Sequence, residues 1–179
     1  MAKSKKKGKP SFLSLAGFLS FLLGAAACLF GFAPFVMVKG SVTGGNYGYI
    51  TGFQEAFGAH QKTGNSNPEW ALFADESTFS EWAASPKTGL LIAMILGIVG
   101  AVLVLLSVLF KKKNVALGAL LLGGAMLLAT GIMFFFPIQF GSYSSDIMKC
   151  SLGWGALVSG ILGILAGAIG IGSVIYEKM

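Results

Sequence analysis

The sequence predicts an all-α membrane protein, a four-transmembrane-helix bundle with a structured extracytoplasmic loop. Three observations carry this. Four apolar stretches, each long enough to cross a bilayer, contain no charged residue. The 179 residues are 55% hydrophobic and only 11% charged, whereas a soluble domain devotes about a quarter of its residues to charge. All 13 basic residues are lysine, giving a net charge of +6, and they sit asymmetrically at the ends of the stretches.

A hydrocarbon core of about 30 Å needs about 20 helical residues. In chain order the expected organisation is a basic tail (1–10), span one (11–38), a large outer loop (39–89), span two (90–110) and a tight turn (111–114). Span three (115–136), a second outer loop (137–151), span four (152–176) and a short end (177–179) follow. Within lipid each backbone amide must be satisfied by its own segment, so each stretch is expected to be a helix. The runs are continuous rather than alternating, which argues against membrane strands.

Lysine placement gives the orientation. Lys3, Lys5, Lys6, Lys7, Lys9, Lys111, Lys112, Lys113 and Lys178 fall on one side; Lys39, Lys62, Lys87 and Lys149 fall on the other. The positive-inside rule then places both termini and the 111–114 turn in the cytoplasm. Lys5, Lys6 and Lys7 are candidate contacts for anionic lipid headgroups, each contributing about 1 kcal/mol near the surface. The start of the chain also has the look of a signal peptide, with Ala25-Ala26-Ala27-Cys28 as a lipoprotein-like cleavage box. Leu29 to Val38 continues apolar, however, so an uncut transmembrane helix is the expectation.

Glycine is frequent, at 26 residues, and regularly placed. Span four carries Gly153, Ala156, Gly160, Gly163, Gly167 and Gly170 along one helical face, and span one carries Gly17, Ser20, Gly24, Ala27, Gly31 and Pro34. Lipid supplies no hydrophobic drive between helices, so association relies on close backbone approach at small residues. The smooth faces of spans one and four are therefore expected to meet. Looser small-residue rows, Ala93, Gly97, Gly100 and Ser107 in span two, Ala116, Ala119, Gly123 and Thr130 in span three, fit a helical hairpin across the short turn.

Chemistry inside the membrane is expected to be sparse. No span contains Asp, Glu, Lys, Arg or His, the residues that mark proton relays and ion paths. The glycine-rich fourth span has some likeness to the proteolipids of rotary rings, but those need a mid-membrane carboxylate. His60 stands alone in the outer loop, and no nucleophile–base pair, metal cluster or phosphate loop is present. The expectation is a non-enzymatic protein with no cofactor and no metal. Cys28 and Cys150 are expected at different depths and unbridged.

The first outer loop, about fifty residues, is far longer than a connection requires. Ser41-Val42-Thr43 and Tyr47 to Thr51 flank Gly44-Gly45-Asn46, a β-hairpin pattern. Ile50, Phe53 and Phe57 then recur at helical spacing with Gln54 and Glu55 opposite, a short amphipathic helix. Asn67-Pro68-Glu69 and Thr78-Phe79-Ser80-Glu81 carry helix-start signals. Trp70, Phe73, Phe79 and Trp82 are candidate anchors for a protein partner; the competing expectation is a structural cap with an aromatic belt.

In layout the chain resembles the claudin-type tetraspans: large first outer loop, tight inner turn, smaller second outer loop, both ends inside. Those proteins carry a Gly-Leu-Trp element and a cysteine pair in the first loop. Here the context is Glu69-Trp70-Ala71-Leu72, with no cysteine between Lys39 and Gly89, so the resemblance implies topology and not the junctional activity. Lysine without arginine, together with the lack of an Asn-X-Ser/Thr sequon, leans towards a bacterial plasma membrane. The expected role is a structural or accessory subunit with the lipid bilayer and a protein partner or a second copy as its associates, and no nucleic acid. The alternative is an oligomeric channel or transporter subunit lined by hydroxyls and glycine carbonyls.

Overall fold

A computed structural model describes residues 12–40, 46–57, 87–110, 112–135 and 148–179. Helix α1 (Phe12–Leu29) runs into a single 3-10 turn (Phe30–Phe32) and then strand β1 (Pro34–Gly40). Strand β2 (Asn46–Thr51) leads directly into helix α2 (Gly52–Phe57). Helices α3 (Thr88–Leu109) and α4 (Lys113–Phe135) follow, then strand β3 (Met148–Leu152) and helix α5 (Trp154–Lys178). Four helical segments, Phe12–Phe32, α3, α4 and α5, are long and apolar enough to cross a membrane.

The expected first span ends early. Pro34 lacks an amide hydrogen and pushes the residue before it away from helical geometry, and Ala33 is extended at φ −83°, ψ 167°. The run Phe35-Val36-Met37-Val38 then favours a strand. Residues assigned to membrane by hydropathy thus form the central strand of a sheet ordered β2-β1-β3, antiparallel throughout. Strand β1 pairs with β2, and the expected arm Ser41-Val42-Thr43 lies outside the described residues. Pairs Pro34–Thr51 and Val36–Ile50 bracket a bulge at Phe35. A bulge sets two residues against one, which accounts for consecutive Phe35 and Val36 both being fully buried.

The helices pack in the cyclic order α1, α3, α4, α5. The sheet and α2 lie at the end where α1 finishes and α5 begins; the 110–112 connection and Lys178 lie at the other. Phe35, Val36, Ile50, Ala56, Leu90, Met94 and Phe134 make a core at the sheet end, and the Phe35 and Phe134 rings meet edge to face at 5.2 Å. A second core at the lysine end gathers Val104, Leu117, Leu120, Leu127, Ala166 and Val174.

The glycine stripe of α5 lies mainly against α4, with α1 at its edge, where Ser20 Oγ is 3.3 Å from a Cβ on Gly170. A Cβ on Gly131 would sit 2.5 Å from the Ile164 amide nitrogen and 2.7 Å from the Gly160 carbonyl oxygen. One on Gly163 would be 2.9 Å from Gly131 Cα, one on Gly167 2.6 Å from the Gly124 oxygen, and one on Gly170 3.3 Å from Gly124 Cα. Gly124 and Gly131, seven residues apart, give α4 a smooth row that matches α5, so the two backbones approach directly. The α1 glycines instead receive large side chains: Val108 at Gly17, Leu127 at Gly24, Phe53 at Gly31. Within the α3–α4 hairpin, Gly100 and Gly123 make the close approach, a Cβ on Gly123 lying 2.7 Å from the Gly100 oxygen. Gly160 faces the Phe135 ring, and Gly153 faces the Pro34 carbonyl while donating its amide to Phe35 O at 2.6 Å.

Candidate functional site

Helix α1 meets α5 through Ser20 and Ala27 of its small-residue row, with Gly170 of α5 opposite Ser20. Ser20 Oγ donates to Ala166 O at 2.7 Å, and Ser159 Oγ donates to Ala27 O at 2.9 Å. Thr130 Oγ1 donates to Ala93 O at 3.0 Å, tying α4 to α3. Ser107 and Ser173 bond the carbonyls of Val104 and Gly170 one turn back. All five hydroxyl residues are buried, so each avoids the penalty of an unpaired polar group in an apolar interior. A cavity of about 10 Å³ lined by Cys28, Gly31, Met94, Thr130 and Phe134 lies beneath α2, at the lower limit for one water. A larger cleft, about 260 Å³, opens at the lysine end between Leu13, Ser107, Val108, Lys113 and Glu177. There Lys113 and Glu177 pair at 2.5 Å.

Aromatic side chains mark two levels. Phe12 and Tyr176 meet as a tilted pair at 5.1 Å at the lysine end; Phe30 and Trp154 meet edge to face at 6.0 Å at the sheet end. At 1.5 Å per residue these levels lie roughly 27 Å apart along α1 and 33 Å apart along α5, close to a hydrocarbon thickness of about 30 Å. Tyr and Trp favour such interfaces, and Trp154 and Tyr176 are both exposed.

The chemically unusual place is the cap formed by α2 and the sheet. A capping box starts α2: Gln54 Oε1 accepts from the Thr51 amide and hydroxyl, each at 3.1 Å, and Gln54 N donates to Thr51 Oγ1 at 3.3 Å. This fixes the phase of the helix, and the phase differs from the sequence expectation. Gly52, Glu55 and Ala56 are buried, whereas Phe57 is 58% exposed. Gly52 sets this: a Cβ there would meet Met94 at 2.7 Å, Phe35 at 2.9 Å and the Gly31 carbonyl at 3.0 Å. The small-residue face of α2 lies against the bundle with Phe53 half-buried at its edge, and Glu55 is carried in with it.

Glu55 is 0% exposed, and neither carboxylate oxygen has a hydrogen-bond partner among the described residues. Burial pushes its pKa up to about 7, with the Lys87 charge acting in the opposite direction. Lys87, just before α3, is lowered by its own burial, offset by Glu55 and Cys150. The Cys150 thiol in β3 is pushed up to about 12 by burial, reinforced by Glu55 and offset by Lys87. Acid and base both move towards their neutral forms, so desolvation outweighs their attraction. A thiol held this far above neutrality is a poor nucleophile, and Cys28 and Cys150 are both unbridged. The cluster can hold or release a proton; among the described residues no three His, Cys, Asp or Glu side chains gather as metal ligands.

Sequence reasoning placed no functional weight on Glu55, Lys87 or Cys150. One local signal was available: Thr51-Gly52-Phe53-Gln54 has capping-box spacing, and it turns Glu55 to the Gly52 side. The proposed anchors Trp70, Phe73, Phe79 and Trp82 lie outside the described residues, as do Lys5, Lys6, Lys7, His60 and both later helix-start signals. Neither the protein-family models nor the curated proteins contain a match to the chain.

Proposed function

We propose that this chain is a non-enzymatic, four-pass accessory subunit of a bacterial plasma membrane, with its lysine-rich end and both termini cytoplasmic. Its bundle is a rigid platform. The loop at the opposite face recruits a protein partner through Trp70, Phe73, Phe79 and Trp82, and the tail lysines Lys5, Lys6 and Lys7 rest on anionic headgroups. The main support is the filled interior: side chains such as Leu120 and Leu127 are fully buried, and the hydroxyls between helices are already bonded to backbone carbonyls. A monomer transporting solute needs unpaired polar groups along its path; this bundle has committed its own to holding helices together. The lysine asymmetry supports the orientation. Copurification from membranes, followed by alanine at Trp70 and Trp82, tests the reading: loss of the bound neighbour is expected, and retention counts against these anchors.

One observation favours a second reading, an oligomeric channel or transporter subunit. Gly118 on α4 and Gly172 on α5 have nothing within 4 Å of where a Cβ would stand, leaving small-residue positions open to a second copy. Native mass in mild detergent separates the two. A ring that passes ions when placed in liposomes would favour conduction, and a monomer or an ion-tight assembly would favour the accessory role.

A further inference from the structure

We infer that Glu55 is a proton-binding site that controls the docking of the α2 cap onto the end of the bundle. The cap bears on four surfaces at once, packing against α3, the 3-10 turn, β1 and β2. Its last turn is tied to the start of α3 by the Lys87 amide, which donates to the Glu55 carbonyl at 3.2 Å. At the middle of this junction is a carboxyl group with no exposed surface and no hydrogen-bond partner among the described residues. A carboxylic acid in that place is neutral and tolerable; a carboxylate needs water or several donors. The protonated form therefore favours the docked cap, and the ionised form favours a cap that lifts enough to admit water.

Lys87 faces Glu55 from the start of α3, and Glu55 in turn raises the Cys150 thiol of β3. Lys39 of β1 and Tyr49 of β2 are exposed; α3, the 3-10 turn and β1 carry no other titratable side chain, and β2 carries only Tyr47 besides. Lys87 tempers the ionised form without neutralising it, and the Cys150 thiol keeps its proton throughout the neutral range.

The sign is the reverse of an ordinary salt-bridged carboxylate. Docking raises the pKa from 4.5 to about 7. The docked state is therefore fully favoured below pH 4.5 and loses that advantage as pH rises towards 7, after which it levels off. With those two values, the opening equilibrium rises roughly 70-fold between pH 5 and pH 8.

Hydrogen exchange of the full chain in detergent reads this directly, with each rate divided by the intrinsic chemical rate at the same pH. The amides of 46–57 and 87–91 should lose protection by roughly that factor from pH 5 to pH 8, while mid-helix amides of α4 and α5 stay unchanged. In Glu55→Gln the same amides should remain protected across the range. In Lys87→Met the loss should start at the same pH but level off at higher pH and grow larger, since a charge that lowers the docked Glu55 pKa has been removed. Wild-type protection of the cap that is flat with pH, or a Glu55→Gln variant with the wild-type slope, overturns the proposal. Should Glu55→Gln fail to fold, an unchanged levelling point and amplitude in Lys87→Met overturns it equally.

Discussion

Alanine at Gly131 tests the backbone contact between α4 and α5. The added methyl would lie 2.5 Å from the Ile164 nitrogen, 2.7 Å from the Gly160 oxygen and 2.9 Å from Gly163 carbon. These are main-chain atoms, so no rotamer change can make room. Ordinary contact at 3.4–4 Å requires the two helices to part by about 1 Å, and overpacking of this kind costs about 1–3 kcal/mol. Gly172→Ala is the matched control, since nothing lies within 4 Å of its added methyl. Both variants gain the same helix propensity, up to about 1 kcal/mol, so their difference isolates the contact. The expectation is that Gly131→Ala unfolds roughly 5- to 150-fold more readily than Gly172→Ala. Reversible unfolding in mixed micelles, followed by far-ultraviolet circular dichroism against the mole fraction of denaturing detergent, measures it. Gly160→Ala should fall between, because its neighbour is the Phe135 ring, which can turn aside. Equal midpoints for Gly131→Ala and Gly172→Ala would refute the close approach.

Other outcomes follow from the same geometry. Ser20→Ala and Ser159→Ala each remove a hydroxyl-to-carbonyl bond between α1 and α5, and each should destabilise by about 0.6 kcal/mol in the same assay. Gly52→Ala places a methyl against Met94, Phe35 and the Gly31 carbonyl; exchange protection of the cap should fall while that of α4 is retained. A double-mutant cycle on Lys113 and Glu177 should give a coupling below about 1 kcal/mol that fades in salt, because the lysine is 65% exposed.

The spans were legible because hydrophobic length is a direct property of the sequence. The helix–strand boundary at Pro34 was less so, since hydropathy rates Phe35-Val36-Met37-Val38 the same in a membrane helix as in a buried strand; proline and β-branching carried the distinction. That α4 shares the α5 stripe with α1 was hidden for a different reason. Spans one and four have the longer small-residue rows, but complementarity depends on the rotation of each helix, and two glycines on α4, Gly124 and Gly131, sufficed to capture α5. Glu55 was read as solvent-facing because its neighbours Phe53 and Phe57 looked like the buried side. Helical phase in a six-residue element is set by its cap and by what lies against it, and Gly52, with no room for a side chain, settled it for the small face. The absence of charge within the spans was visible from the start; that a charge-bearing residue would be buried just beyond them was not.

The central claim is that the chain crosses lipid four times, with the lysine end and the cap on opposite sides. Cysteines placed singly at Asn114 and at Ser66, in a chain with Cys28→Ala and Cys150→Ala, can be labelled in intact cells with a membrane-impermeant maleimide. Labelling at Ser66→Cys from outside, with Asn114→Cys reached only after the membrane is opened, is the predicted result. Both positions reacting from the same side would contradict it.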